Sequence, residues 1–251
     1  MRLRDRVAVI TGAGRGIGRA VALAYAAEGA KVVITDIVRH PEVDDTLQRI
    51  AGGGGQARFV ACDVANEGQV SSLMDETLAA FGAIDILVNG AGASAPAMLT
   101  NMTIEKWFLV LNSHLTGAFL CTREAVRKSM KEKGGGSVLF VSSIAGSEGT
   151  VGQCNYGAAK GGMLGLMKSC AKELAAHDIN VNAICPGVVE TAMSETIRTN
   201  EKFRETTLNR ILMRRFATPD TVAPLFVYLA SPEGHYVHGQ VHYIDGGMHG
   251  L

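Results

Sequence analysis

Short apolar runs recur along the chain at 7–11, 31–35, 58–61, 84–89, 138–141, 180–184 and 241–244. Most are apolar without alternation, the pattern of strands buried on both faces. Between them lie segments whose apolar positions repeat with helical spacing, at 17–27, 67–81, 104–130, 156–177 and 221–229. Alternation of strand and helix predicts an α/β fold, a parallel sheet with helices on both faces. Residues 52–55 read as a loop, and no linker divides the chain, so 1–251 is expected to form one domain. The stretch 188–219 has no expected strand and is expected to be helical in part. Met193, Ile197, Phe203, Leu208 and Ile211 lie there among polar residues, which suits a substrate flap with an apolar underside.

Composition narrows the function. The chain is 47% hydrophobic and 19% charged, with net charge +0, so it offers no electrostatic footprint for nucleic acid. The charged start Met-Arg-Leu-Arg-Asp-Arg runs straight into a short apolar strand. There is no signal-peptide core and no apolar run long enough for a membrane, so a cytoplasmic protein is expected. Five cysteines (Cys62, Cys121, Cys154, Cys170 and Cys185) are scattered without ligand spacing and read as reduced thiols. His235, His238, His242 and His249 crowd the C-terminus, but their spacing matches no zinc template and no metal is expected.

Chemistry enters with Tyr156 and Lys160, four positions apart, and Ser143, thirteen positions before the tyrosine. On a helix, i and i+4 share a face, which brings an ammonium toward a phenol. A cation at ~4 Å in an effective dielectric of ~20 contributes roughly 4 kcal/mol, up to ~3 pK units. That moves a phenol of reference pKa about 10 toward neutrality, where acid/base catalysis works best.

Glycines mark a cofactor loop. Strand one ends in Thr11, and Gly12, Gly16 and Gly18 follow, with Arg15 and Ile17 between them, opening a helix. Such a turn lets the backbone approach a pyrophosphate at a helix N-terminus, although the spacing is not G-x-G-x-x-G. Asp36 ends strand two, where a carboxylate can bond the ribose hydroxyls of NAD and repel the 2′-phosphate of NADP. Arg15 and Arg39 pull toward phosphate. Asp63, before Val64 at the end of strand three, can bond an adenine amino group or cap the following helix.

Together these residues resemble the short-chain dehydrogenase/reductase family, in its branch of single-domain enzymes of this length. The resemblance covers nearly the whole chain. It rests on Thr11 to Gly18, Asp63, Asn89-Gly90-Ala91-Gly92, Asn112, Ser143, Tyr156, Lys160, Pro186-Gly187, Thr191 and Asp245-Gly246-Gly247. Gly90 replaces an asparagine usual in the fourth-strand motif. The resemblance implies a Rossmann-type doubly wound sheet of seven parallel strands and a homotetramer arranged as a dimer of dimers. It implies that Tyr156 exchanges a proton with the substrate oxygen and that Ser143 polarises the carbonyl. Lys160 would lower the phenol and bind the nicotinamide ribose, while Asn112 would hold a water that relays protons to Lys160. Asn89, Ala91, Gly92, Pro186, Gly187, Val189 and Thr191 would line the cofactor.

The most similar branch is the acyl-carrier-protein reductases of fatty-acid synthesis, with two departures. Those enzymes mostly use NADP, whereas Asp36 favours NAD, and they carry an arginine near the end of the active-site helix, where this chain has His177. The expected function is therefore an NAD(H)-dependent oxidoreductase interconverting a small-molecule secondary alcohol and a ketone. One alternative is an NADPH-dependent 3-oxoacyl thioester reductase, and a second is a catalytically silent NAD-binding regulator. Ser94, Glu148 and Gln153 are the expected substrate contacts. His114 reads as a helix-packing residue. Arg198, Arg210, Arg214 and Arg215 fit a solvated helix face as well as an acidic substrate.

Overall fold

The computed structural model describes residues 1–250. β1 (Val7–Thr11) leads through a glycine turn into α1 (Gly16–Ala27), and β2 (Lys31–Asp36), α2 (Pro41–Gly52), β3 (Ala57–Ala61), α3 (Glu67–Phe81) and β4 (Ile86–Asn89) follow. The second half runs α4 (Ile104–Leu111), α5 (Gly117–Ala125), α6 (Lys131–Lys133), β5 (Gly136–Val141), α7 (Ala145–Glu148) and α8 (Cys154–Leu174). It closes with β6 (Ile179–Pro186), α9 (Glu195–Thr199), α10 (Glu201–Arg210), α11 (Pro219–Ala230) and β7 (Val241–Ile244).

The seven strands form one sheet in the order β3-β2-β1-β4-β5-β6-β7, with every pairing parallel. All residues of β1, β4 and β6 are buried, so the strands are mostly apolar, and the polar Asn180 and Asn182 of β6 are hydrogen-bonded. One core layer joins the sheet to α1 and α11 through Val21, Tyr25, Val222 and Phe226. The other joins it to α3, α5 and α8 through Leu73, Leu120, Met163 and Met167. Strand order reverses between β1 and β4, and a crevice opens beyond the carboxyl ends of the strands at such a switch point.

Three elements depart from the sequence expectation. α2 was not expected: its polar surface residues mask a buried face of Val43, Thr46 and Ile50, and Pro41 opens it where a missing N–H costs nothing. The segment 104–130, expected as one helix, contains π-turns at Asn112–Thr116 and Val126–Met130. The proposed apolar underside of 188–219 is only partial. Ile211 is buried and Met193 and Ile197 border the cleft, but Phe203 is exposed, and α10 buries no residue. Among the described residues no helix is long and apolar enough to cross a membrane.

The Tyr25 hydroxyl donates to the Phe226 carbonyl at 3.1 Å in the dry layer between α1 and α11. Tyr25→Phe should lower the unfolding free energy by about 1 kcal/mol, the net worth of one such bond. The urea midpoint measures it, and an unshifted midpoint would show that the bond does not hold the two helices together.

Candidate active site

A cleft of about 1060 Å³ runs along the carboxyl ends of the strands. Its floor is set by Thr11. The hydroxyl accepts from the Gly90 and Ala91 amides at 3.0 and 3.1 Å and donates to the Val88 carbonyl at 3.3 Å. Gly12, at φ +66, lies so close to β4 that a Cβ there would meet Ala91 Cα at 2.7 Å. A Cβ at Gly18 would meet the Gly12 carbonyl oxygen at 2.5 Å, so the loop packs tightly onto the start of α1. That helix has no side-chain N-cap, so its first amides are left without a side-chain acceptor where an anion would sit. A glycine cradle at an uncapped helix start fits a pyrophosphate, and Gly12, Arg15, Gly16, Ile17 and Gly18 all line the cleft.

The far end of this cradle carries Asp36. One of its carboxylate oxygens accepts from Gly14 N–H at 3.1 Å and the other from Ile37 N–H at 2.8 Å. Main chain thus fixes the carboxylate in the cleft wall. Arg39 is not free for phosphate: it bonds Asp44 at 2.5 and 3.1 Å and lies over the Phe59 ring. Asp63 and Val64 line the cleft, and the capping alternative for Asp63 fails, because Asn66 caps α3. Opposite, Pro186, Gly187, Val189 and Thr191 form the other wall. Gly187 must be glycine there, since a Cβ would meet Asp245 Cα at 2.8 Å.

Ser143, Tyr156 and Lys160 also line the cleft. The Ser142 hydroxyl donates to the Lys160 carbonyl at 2.9 Å, holding α8 against the end of β5. Asn155 Nδ2 donates to the carbonyls of Ala95 and Lys106, fixing the first turn of α8 to α4 and its approach loop. The Ser143 hydroxyl accepts from Ala145 N–H at 3.2 Å and lies near enough to the Tyr156 phenol to draw its pKa down. Lys160 is buried, with Nζ donating to the Val141 carbonyl at 2.6 Å and lying 5.6 Å from the centre of the Tyr156 ring. Burial pushes the lysine down to about 7. Burial also raises the Tyr156 phenol, against the opposing pull of the Ser143 hydroxyl. The lowered phenol expected from the Tyr156–Lys160 spacing is therefore not present in this arrangement. The ammonium faces the Val141 carbonyl, and desolvation is the largest influence on the phenol.

One expected cofactor contact does not line the cleft. Asn89 is buried and turned away from the cleft, with Nδ2 donating to Thr122 at 3.0 Å beneath α5. Asn112 is exposed and lines the cleft, and its Oδ1 accepts from the Thr116 hydroxyl at 3.3 Å. His114 lies beside the pair, buried and packed edge-on to Tyr156 with ring centres 5.3 Å apart. Its neighbour Gly92 is required by it: a Cβ there would meet His114 Cε1 at 1.8 Å.

At the open end, Ser94, Glu148 and Gln153 line the cleft, as do Arg210, which the sequence offered for an acidic substrate or a solvated face, and Met248, which it did not single out. Glu148 is engaged on both oxygens, by Arg210 at 3.3 Å and by His249 Nδ1 at 2.6 Å. The C-terminal histidines do not converge. His235 meets Asp178, His238 meets the Ala171 carbonyl, and His249 stacks on Tyr243. Among the described residues no three metal-ligating side chains gather.

The low value of Lys160 has a consequence for stability. Between about pH 7 and pH 10 the unfolded chain holds a proton on this lysine that the folded chain has released, given an unfolded value of about 10.4. Its contribution to stability is least favourable below that window and improves as pH rises through it. Denaturation of wild type and Lys160→Met at several pH values should show the difference moving in favour of wild type from pH 7 to pH 10. Parallel curves would mean that the lysine titrates normally.

Comparison with known proteins agrees with this architecture. The family described as Enoyl-(acyl carrier protein) reductase matches residues 12–249. A 3-oxoacyl-(acyl-carrier-protein) reductase of Thermotoga maritima is 42% identical over 248 residues, covering 99% of each chain. A 3-oxoacyl-(acyl-carrier-protein) reductase of Synechocystis sp. is 41% identical over 247 residues, covering 98% of each. The crystal structure of a short-chain type dehydrogenase/reductase from Mycobacterium marinum superposes with a TM-score of 0.93 at 32% identity, covering 99% of this chain and 97% of that one. The glycine cradle, the parallel sheet and the kinship along the full length agree: the chain belongs to the short-chain dehydrogenase/reductase family.

Proposed function

We propose that this protein interconverts a 3-oxoacyl thioester and its 3-hydroxyacyl form with a nicotinamide dinucleotide. The observation that carries the reaction class is the meeting of Ser143, Tyr156 and Lys160 in a cleft that also holds the glycine cradle. The thioester is supported by kinship along the full length with two 3-oxoacyl-(acyl-carrier-protein) reductases. This reverses the order reached from sequence, which put an NAD(H)-dependent secondary alcohol/ketone oxidoreductase first. That reading stays second, favoured by Asp36. A silent NAD-binding regulator has no use for Ser143 and Tyr156 gathered beside a buried lysine.

A bound nicotinamide dinucleotide supplies the hydride. The Ser143 hydroxyl donates to the substrate carbonyl oxygen and orients it. Tyr156 passes its proton to the same oxygen as the alcohol forms. A phenol raised by burial stays protonated at neutral pH, which suits reduction. Lys160, alongside the Tyr156 ring, is the group placed to hold a ribose hydroxyl. NAD(H) is the proposed cofactor, because Asp36 is held in the wall of the cleft and Arg39 is paired with Asp44.

Assembly and gating belong to the same proposal. Phe108, Leu109 and Phe119 on α4 and α5 are 49%, 53% and 43% exposed, a surface that suits the homotetramer. Residues 188–219 act as the flap, with Met193, Ile197 and Arg210 at the rim of the cleft. Free cysteines suit the cytoplasm.

A panel of 3-oxoacyl thioesters, polyols and hydroxy acids, each assayed with NAD(H) and NADP(H), tests the reading. Thioester reduction with NADH should give the highest kcat/KM, and a small alcohol outpacing every thioester would promote the second reading. Tyr156→Phe should lose at least ~10²-fold in kcat while still binding NADH, since acid/base catalysis contributes about 10²–10⁴. Unchanged turnover would remove its acid/base role. Asp36→Ala should narrow the gap between NADH and NADPH, and a wild type that prefers NADPH would defeat the carboxylate argument.

A further inference from the structure

The mouth of the cleft holds an ion pair built more firmly than its exposure explains. Glu148 Oε2 accepts from Arg210 Nη2 at 3.3 Å, with the two side chains 31% and 56% exposed, and a surface pair of this kind adds little to stability. Yet the carboxylate is set in an extended frame. Its Oε1 lies 2.6 Å from His249 Nδ1, and a carboxylate only accepts, so that nitrogen carries the proton. The His249 ring stacks on Tyr243 with centres 3.8 Å apart, and the Tyr243 hydroxyl meets Ser147 Oγ at 2.6 Å. The turn that carries His249 is closed by Asp245, which accepts from the amides of Gly247 and His249 at 2.9 and 2.8 Å. The chain just after α10 joins the same turn, with Met213 N–H donating to the Gly246 carbonyl at 3.0 Å. Glu148 itself ends α7, the short helix that starts just after Ser143, so its carboxylate stands at a fixed step from that serine. An ionised carboxylate has about four acceptor positions and a guanidinium has several N–H donors. Two acceptor positions and one donor are taken, and the rest border the cleft.

We propose that Glu148 and Arg210 are specificity-determining residues that bind an amide in the thiol arm of the substrate: an Arg210 N–H donates to the amide carbonyl, and Glu148 accepts from the amide N–H. This rests on the reading of the substrate as a 3-oxoacyl thioester, since the thiol arms of acyl carrier proteins and of coenzyme A carry such an amide close to the sulfur. Charge balance selects it. The pair is neutral and sets a donor beside an acceptor, the complement of a peptide-like group. A carboxylate placed there would meet Arg210 but also face Glu148, and an ammonium would meet Glu148 but also face Arg210. An apolar arm would desolvate both charges and give them no new partner. Each bond to the amide has one charged member, which places it in the stronger class. The acyl chain has a surface of its own. Met193, Ile197 and Met248 line the same cleft, and methionine side chains adapt to chains of different length. The mouth thus sorts the two arms of the thioester, and the ketone between them is directed toward Ser143 and Tyr156.

Two substrates that differ only in the amide test this. The N-acetylcysteamine and S-ethyl thioesters of 3-oxobutyrate share the acyl group and the thioester bond, and only the first carries the amide. With whichever nicotinamide cofactor gives the higher rate, wild type should favour the amide-bearing thioester by ~10-fold or more in kcat/KM. Arg210→Met should bring that preference close to parity, chiefly through KM, Glu148→Gln should reduce it in part, and Arg210→Lys should keep part of it. One measurement does not depend on turnover. S-butyl-N-acetylcysteamine, a thioether with no ketone to reduce, should show saturation-transfer NMR signals in the cofactor complex of wild type and lose them in Arg210→Met. Thioester reduction by wild type without an amide preference overturns the proposal and leaves the proposed reaction standing. An Arg210→Met variant that loses kcat/KM equally on both thioesters overturns it as well, because the pair would then only hold the tail against α10. If no thioester is reduced while the thioether binds wild type and not Arg210→Met, the thioester reading fails and the amide site stands. Should Arg210→Met not fold, the same comparisons on Glu148→Gln and Arg210→Lys decide.

Discussion

The contact between the ends of β1 and β4 governs this molecule. Thr11 uses one hydroxyl to satisfy two amides and a carbonyl of the neighbouring strand end, and Gly12 brings the backbone within a distance that no side chain would tolerate. This closes the sheet at the point where strand order reverses, and it leaves the next turn free to present its amides outward. The position of α1, the depth of the cleft and the placement of Gly92 beneath His114 all follow from it. A bulkier residue at position 12 would separate the strands, and the cradle and the acid/base pair would move apart together.

Desolvation, more than attraction between charges, sets the protonation of the Tyr156–Lys160 pair. Tyr156 and Lys160 are shifted in opposite directions by the same cause, since burial disfavours whichever form carries charge. The pair therefore holds one exchangeable proton on the phenol and a second, more loosely, on the amine. The Ser143 hydroxyl works against burial at the phenol, so a modest change in what Lys160 faces could move the balance.

Much of the fold was legible because buried parallel strands leave a simple trace. All seven apolar runs became strands, within two or three residues at their ends. α2 was missed because only a narrow stripe of Val43, Thr46 and Ile50 is buried, and charged neighbours swamp it. At the site, spacing correctly put Tyr156 and Lys160 on one face but could not say that the ammonium would turn to Val141. Asn89 turns beneath α5 rather than into the cleft, because a motif gives a position and not a direction, and a strand end chooses between two faces. The π-turn at Asn112–Thr116 hid the packing of His114 on Tyr156, which is visible only in three dimensions.

Glu148 gathers three distant pieces of chain on one carboxylate: its own turn after Ser143, Arg210 at the end of α10, and His249 in the C-terminal tail. Positions 148, 210 and 249 therefore form a single unit of inheritance. A change at any one alters what the other two are worth, so their effects will not add. Divergent relatives that reshape the mouth of this cleft would have to alter the three positions in concert, although two of them lie about as far apart in sequence as a small domain is long.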